Sequence, residues 1–234
     1  MNTIIFDLDD TLYDQIRPFK EAFYTVISSS LPDQLVNQIY LASRHYSDEV
    51  FEQEQQGIIS TLDLQIYRIT AACKEFGLSI SADQAIAFQN AYQSNQRQIK
   101  LFLEINQLLD QLTQKKVQLA VLTNGNTDHQ KMKFEQLGLS KWIKAEYCFI
   151  SGAIGTAKPT IGPFRYIEQC MPIDRESTWY VGDTYQNDVV GAKQAGWKAI
   201  WFNHRRREQP KSSFKPDRTV TSAKALLDYL THIT

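Results

Sequence analysis

Ile4-Ile5-Phe6-Asp7-Leu8-Asp9-Asp10-Thr11-Leu12 is an apolar run that ends abruptly in three carboxylates and a hydroxyl. A short run of this kind predicts a buried strand of a parallel sheet, its charges falling where the strand leaves the core. Residues two apart in an extended chain point the same way, so Asp7 and Asp9 can face one pocket while Leu8 and Asp10 face away from it. Two carboxylates pressed together each resist ionising unless a cation lies beside them, so the pair asks for a metal, a lysine or both. Taken alone, the motif reads equally well as two solvated turn aspartates. Any partners have to come from elsewhere in the chain.

The next β run, Val117-Gln118-Leu119-Ala120-Val121-Leu122, comes more than a hundred residues later. A strand–helix–strand unit needs only about 30 residues, so most of the interval must be an insertion with its own fold. Its last part reads as the crossover helix: Leu101, Ile105, Leu108, Leu109 and Leu112 follow one helical face, and Lys115 and Lys116 suit a helix C-terminus. The expected division is therefore a sheet-bearing core of residues 1–14 and 97–234 and an α-helical domain of residues 15–96. Within the latter, Leu35, Ile39, Tyr46 and Val50 recur at near-helical spacing. Leu62, Ile66, Ile69 and Cys73 do so before Gly77 stops the segment, and Ser81-x-x-Gln84 has the form of a capping box. From residue 117 the pattern alternates, with strands expected at 117–122, 146–150, 178–182 and 198–202 and helices around 128–137, 161–170 and 187–195. That is an α/β fold: a Rossmann-like parallel sheet with helices on both faces, plus a small helical domain.

The 234 residues carry a net charge of −1 with acids and bases dispersed, which lacks the electrostatic footprint of a nucleic-acid binder. The chain starts directly on a strand, with no charged leader, and no apolar stretch has the length of a membrane span, so a soluble cytoplasmic protein, monomer or homodimer, is expected. Cys73, Cys148 and Cys170 are scattered, without CxxC, and suit reduced, buried thiols. His45, His129, His204 and His232 lack zinc-ligand spacing.

In an open parallel sheet, ligands bind beyond the carboxyl ends of the strands. There the chain places Thr123-Asn124-Gly125, a glycine-bearing loop with Lys158-Pro159, and Gly182-Asp183-Thr184-Tyr185-Gln186-Asn187-Asp188. Singly, each has an ordinary reading as a helix cap, a solvated lysine or a first-turn acid. Jointly they put a hydroxyl, a lysine and acids in the layer of Asp7 and Asp9. Phosphoryl transfer uses such a set: oxygen-only ligands suit Mg²⁺, and a lysine with backbone N–H groups spreads the phosphate's charge.

In these residues the chain resembles the haloacid dehalogenase superfamily of aspartyl-phosphate hydrolases: Asp7-Leu8-Asp9-Asp10-Thr11 looks like its first motif, Thr123 its second, Lys158 its third, and Gly182-Asp183 with Asp188 its fourth. The resemblance implies Asp7 as nucleophile and Asp9 as general acid. It implies a Mg²⁺ held by Asp7, the Asp9 carbonyl and Asp183, with Asp188 supporting the metal shell or orienting Lys158. Thr123, Lys158 and the backbone amides around Leu8, Asp9, Asn124 and Gly125 would grip the phosphoryl oxygens. The helical insertion would be the family's cap, and the partner a small phosphorylated metabolite such as a nucleoside monophosphate or sugar phosphate. Two departures stand out: the loop Ser151–Gly155 lacks the acids common there, and Thr160 replaces a common aspartate.

Asp9 argues against dehalogenation, which needs no such acid, and no lysine lies between Lys20 and Lys74 to serve phosphonate hydrolysis. A phosphomutase, which would keep the same core residues, and a catalytically inactive binding module remain as alternatives. The basic stretch His204-Arg205-Arg206-Arg207 with Lys211, Lys215 and Arg218 reads as a solvated loop. Arg17, Arg44 and Arg68 are candidates for the distal part of a substrate, with helix-surface charge as the default. Trp142, Trp179, Trp197 and Trp201 read as packing residues.

Overall fold

The structure, a computed structural model, describes residues 3–234. Six parallel strands form one sheet in the order β3-β2-β1-β4-β5-β6: β1 Thr3–Phe6, β2 Gln118–Thr123, β3 Cys148–Ile150, β4 Thr178–Gly182, β5 Lys198–Phe202 and β6 Arg218–Val220. The expected α/β sheet is the fold observed. β1 lies inside it, Thr3 pairing with Gln118 on one side and Thr178 on the other. Strand alternation divides the core. Ile4 and Phe6 join one layer with Leu108, Leu109, Leu226 and Leu230, whereas Ile5 joins the opposite layer with Leu122, Phe164, Trp197 and Trp201. Helices cover both faces because every inner strand is apolar on both sides.

By compactness the chain divides into two units, residues 1–14 with 99–234, and residues 15–98. The first contains the sheet with α6 Leu103–Gln114, α7 Thr127–Gln136, α8 Ser151–Ile154, α9 Gly162–Cys170, α10 Gly191–Gln194 and α11 Ala223–Ile233; the second contains α1 Ile16–Val26, α2 Asp33–Glu49, α3 Phe51–Gln55, α4 Thr61–Glu75 and α5 Ala82–Gln96. The helical unit has its own aromatic core: the Phe19 ring centre lies 5.0 Å from that of Phe88 and 5.3 Å from that of Tyr40, both edge-on. Full capping boxes start α4 (Ser60/Asp63) and α5 (Ser81/Gln84). Gly77, at φ +76°, ends the turn after α4.

Of the three arginines singled out here, Arg17 pairs with Glu21 on the surface of α1. Arg68 is half-buried, donates to Gln89 Oε1 at 3.0 Å and lies 5.9 Å from the Tyr92 ring centre; burial pulls its pKa down to about 10. Arg44 adds a neighbouring positive charge.

Several expectations need correction. The segment 187–195 begins as a π-helical turn, Tyr185–Val190, before α10. β6 and α11 were not anticipated; β6 is a three-residue edge strand whose single buried residue, Val220, leaves no periodicity to read. Only Cys73 is fully buried: Cys148 starts an edge strand and Cys170 ends a surface helix. No helix among the described residues is long and apolar enough to cross a membrane.

Candidate active site

The carboxyl ends of β1, β2 and β4 meet on one lysine. Lys158, 5% exposed, directs Nζ to Asp7 Oδ1 (2.7 Å), Asp188 Oδ1 (2.7 Å), Tyr180 Oη (2.7 Å) and the Leu122 carbonyl (3.2 Å). Tyr180 in turn donates to the Leu122 carbonyl at 2.8 Å, so its oxygen lone pair faces the ammonium. Asn124 fixes the lysine's backbone from both sides: its Nδ2 donates to the Lys158 carbonyl and its Oδ1 accepts from the Lys158 N–H, each at 2.9 Å. Its side chain therefore positions the lysine's backbone.

Asp7, Asp183 and Asp188 bring carboxylate oxygens within 4.8 Å of one another, all buried. Burial, reinforced by the charges of Asp188 and Asp183, drives the Asp7 carboxyl well above the ordinary range despite Lys158. Asp183 is pushed up to about 7 by burial and by the charges of Asp10 and Asp188, with Arg207 opposing. Lys158 stays protonated, because Asp188 and Asp7 outweigh its own desolvation. If all are ionised, five carboxylates (Asp7, Asp10, Asp14, Asp183, Asp188) face three cations (Lys158, Arg205, Arg207), an excess of two negative charges, and with no further cation that crowding helps to raise the Asp7 and Asp183 carboxyls. An oxygen-only cluster with that residual charge fits a hard divalent cation such as Mg²⁺.

The Asp9 carboxylate has a different set of partners. It accepts from Lys133 Nζ at 2.7 and 2.8 Å, Gln130 Nε2 at 2.9 Å and Tyr13 Oη at 2.5 Å. Burial opposes ionisation, yet Lys133, with Tyr13 and Gln130, holds this carboxyl well below the usual range. The side chain is absent from the Asp7–Asp183–Asp188 cluster, so a metal contact from Asp9 would come through its carbonyl.

Thr123 is the last residue of β2 and is buried. Gly125 donates to Ser151 Oγ at 2.9 Å; a Cβ here would stand 2.6 Å from Gln130 Nε2, so a side chain would displace the residue that holds Asp9. Leu8 is fully buried, and its carbonyl accepts from the N–H groups of Thr11 and Leu12 in a tight turn. Gly182 is equally constrained, since a Cβ would lie 2.3 Å from Asp188 Cγ.

The basic stretch is not a solvated loop throughout. Arg205 donates to Asp10 through Nε (3.0 Å) and Nη2 (2.7 Å) and also reaches Asp14, while His204 Nε2 meets the Asp10 carbonyl at 2.9 Å and Arg207 Nη1 meets Asp183 Oδ2 at 2.9 Å. The physical reason is Asp10, 2% exposed, whose charge would be untenable without counter-charges. Sequence reasoning also missed Lys133, Gln130, Tyr13 and Tyr180. A faint signal existed for three of them: Tyr13 is four residues from Asp9, and Gln130 and Lys133 share a helix face just after the Thr123–Gly125 turn.

Residues 4–202 match the family described as haloacid dehalogenase-like hydrolase. The pyrimidine 5'-nucleotidase YjjG of Escherichia coli is 35% identical over 105 residues, 44% of this chain and 45% of the relative; the chain thus spans about half the length of that relative, and 54% of a Thermus thermophilus phosphoserine phosphatase. A glyceraldehyde 3-phosphate phosphatase of Pyrococcus furiosus is 25% identical over 98% of this chain and 93% of its own. Among solved structures, the magnesium-bound hydrolase YfnB of Bacillus subtilis superposes with a TM-score of 0.73 at 22% identity, covering 99% of this chain and 97% of that one; dehalogenases are also among the neighbours.

Proposed function

Because the chain belongs to the haloacid dehalogenase-like hydrolases, we propose that it is a Mg²⁺-dependent phosphatase of small phosphorylated metabolites. The observation that carries this reading is the division of the first-motif acids: Asp7 lies in the Asp183–Asp188–Lys158 cluster while Asp9 is held apart by Lys133. That division supports giving metal binding and attack to one carboxylate and proton transfer to the other.

In this reading Asp7, Asp183, Asp188 and the Asp9 carbonyl would hold Mg²⁺, which supplies charge neutralisation for a carboxylate approaching an anionic phosphate. The Asp7 carboxylate attacks phosphorus, its new O–P bond forming as the bond to the ester oxygen breaks. Asp9, ionised beside Lys133 in the free site, has to take up a proton as the substrate binds; it gives that proton to the departing oxygen, then accepts one from the water that hydrolyses the aspartyl phosphate, releasing orthophosphate and restoring Asp7. Lys158, Thr123 and the neighbouring N–H groups grip the phosphoryl oxygens. We assign to the helical unit the part of a substrate-selecting cap. The names of the relatives make nucleoside monophosphates and glyceraldehyde 3-phosphate the first compounds to try.

The test is phosphate release from a panel of phosphomonoesters with and without Mg²⁺. Turnover should require the metal and vanish in Asp7→Asn; release that persists in that variant, or survives chelation intact, refutes the mechanism.

A further inference from the structure

The loop that follows β5 is locked by Asn203, whose Oδ1 accepts from the Arg207 N–H and whose Nδ2 donates to the Arg207 carbonyl, both at 2.8 Å. Arg206 sits between them at φ +54°, a left-handed conformation that turns the chain back. Residues 205 and 207 are thereby presented to the same buried acids. Arg207 puts Nη1 2.9 Å from Asp183 Oδ2 and 3.4 Å from the Asp183 carbonyl, which also accepts from the Trp201 indole at 2.9 Å; its Nη2 is 3.7 Å from Asp10. Arg205 grips Asp10 and Asp14 instead.

We propose that Arg207 is a positioning residue for Asp183 which, as a fixed counter-charge, weakens the hold of the Asp7–Asp183–Asp188 cluster on a divalent cation and so keeps that cation exchangeable. The inference rests on reading this cluster as the metal site. A cation bound by Asp183 has to share the carboxylate with a guanidinium that cannot lose its charge, and the two positive centres repel. A purely structural arginine would act in the opposite sense, since its loss would loosen Asp183 and weaken binding. The direction of the change therefore separates the two roles without reference to catalysis.

Mn²⁺ binding, followed by the electron paramagnetic resonance signal of the free ion, measures it on the full chain. Arg207→Gln should bind Mn²⁺ about tenfold more tightly than the wild type, because an opposite charge within a few ångströms of a carboxylate ordinarily biases it by at least that factor. Arg207→Lys, which keeps the charge, and Arg205→Gln, which spares Asp183, should each stay within about threefold of the wild type. Arg207→Met replaces Arg207→Gln if the latter fails to fold. Unchanged or weaker binding in the neutral Arg207 variants overturns the inference, as does an equal gain in Arg205→Gln. A wild type that binds no Mn²⁺ would instead overturn the metal site itself.

Discussion

Replacing Lys158 by methionine tests whether one ammonium holds the site's acids together. Methionine keeps most of the side chain's volume, so the cavity contribution is small and the effect is electrostatic. Asp7 and Asp188, 6% and 1% exposed, would lose a partner that each meets at 2.7 Å. Removing one member of a buried ion pair costs about 3–5 kcal/mol, because the other charge stays in the core. At roughly 2–4 °C per kcal/mol for a chain of this size, the melting temperature should fall by about 6–20 °C.

Thermal denaturation of a four-member cycle with Asp188→Asn sharpens the test. Asp188→Asn alone strips Lys158 of a counter-charge and destabilises. In the Lys158→Met background the same substitution removes a stranded charge and should stabilise. Activity should not follow this recovery: phosphate release should remain about 10²–10³-fold down in both lysine variants, as expected when a donor to the developing charge is lost. A melting temperature within about 2 °C of wild type would refute the reasoning. Equal destabilisation by Asp188→Asn in both backgrounds would do so as well.

Two further outcomes follow from ion pairs outside the cluster. Lys133→Met should lower turnover by about 10²-fold with little change in KM, since Lys133 acts through Asp9 and not on substrate, and Lys133→Arg should recover part of it; a raised KM at unchanged kcat would place Lys133 in substrate binding. Glu168 offers a pH test: burial opposes its ionisation, but Arg175, Arg165 and the Trp197 indole at 3.0 Å together depress its pKa. A depressed folded-state pKa gives stability that is present above the unfolded value of about 4.3 and is lost as pH falls through the folded one. Glu168→Gln should therefore cost about 1–2 kcal/mol at pH 7, the arginines being partly exposed, and progressively less in acid, as read by urea unfolding at both pH values.

What the sequence made legible is what periodicity and motif order encode. The strands at 178–182 and 198–202 coincide with β4 and β5, and Ser81 caps α5 through Gln84 as its spacing implied. What escaped is whatever depends on partners distant in sequence. Lys133 looks like any surface lysine of a polar helix until the fold puts it on Asp9, 124 positions away. Arg205 and Arg207 look like solvated charges because nothing near them in sequence signals that Asp10 is buried beneath them. Tyr180 reads as one more apolar strand residue, although its hydroxyl, aimed at Leu122 and Lys158, helps to aim the lysine.

The placement of β1 has a consequence for how the chain comes into being. Thr3 has its two neighbours at Gln118 and Thr178, so during synthesis the strand that leads into Asp7 waits without a hydrogen-bonding edge until residue 118 has been made. Residues 15–98, by contrast, form a compact unit from neighbours in sequence. Closing a loop of that length costs only about 2 kcal/mol more than closing one of fifteen residues, so the delay is a matter of order and not of stability. A chain halted before residue 118 can thus own its helices while Asp7 still lacks the company of Asp183 and Asp188, which only later synthesis brings to it.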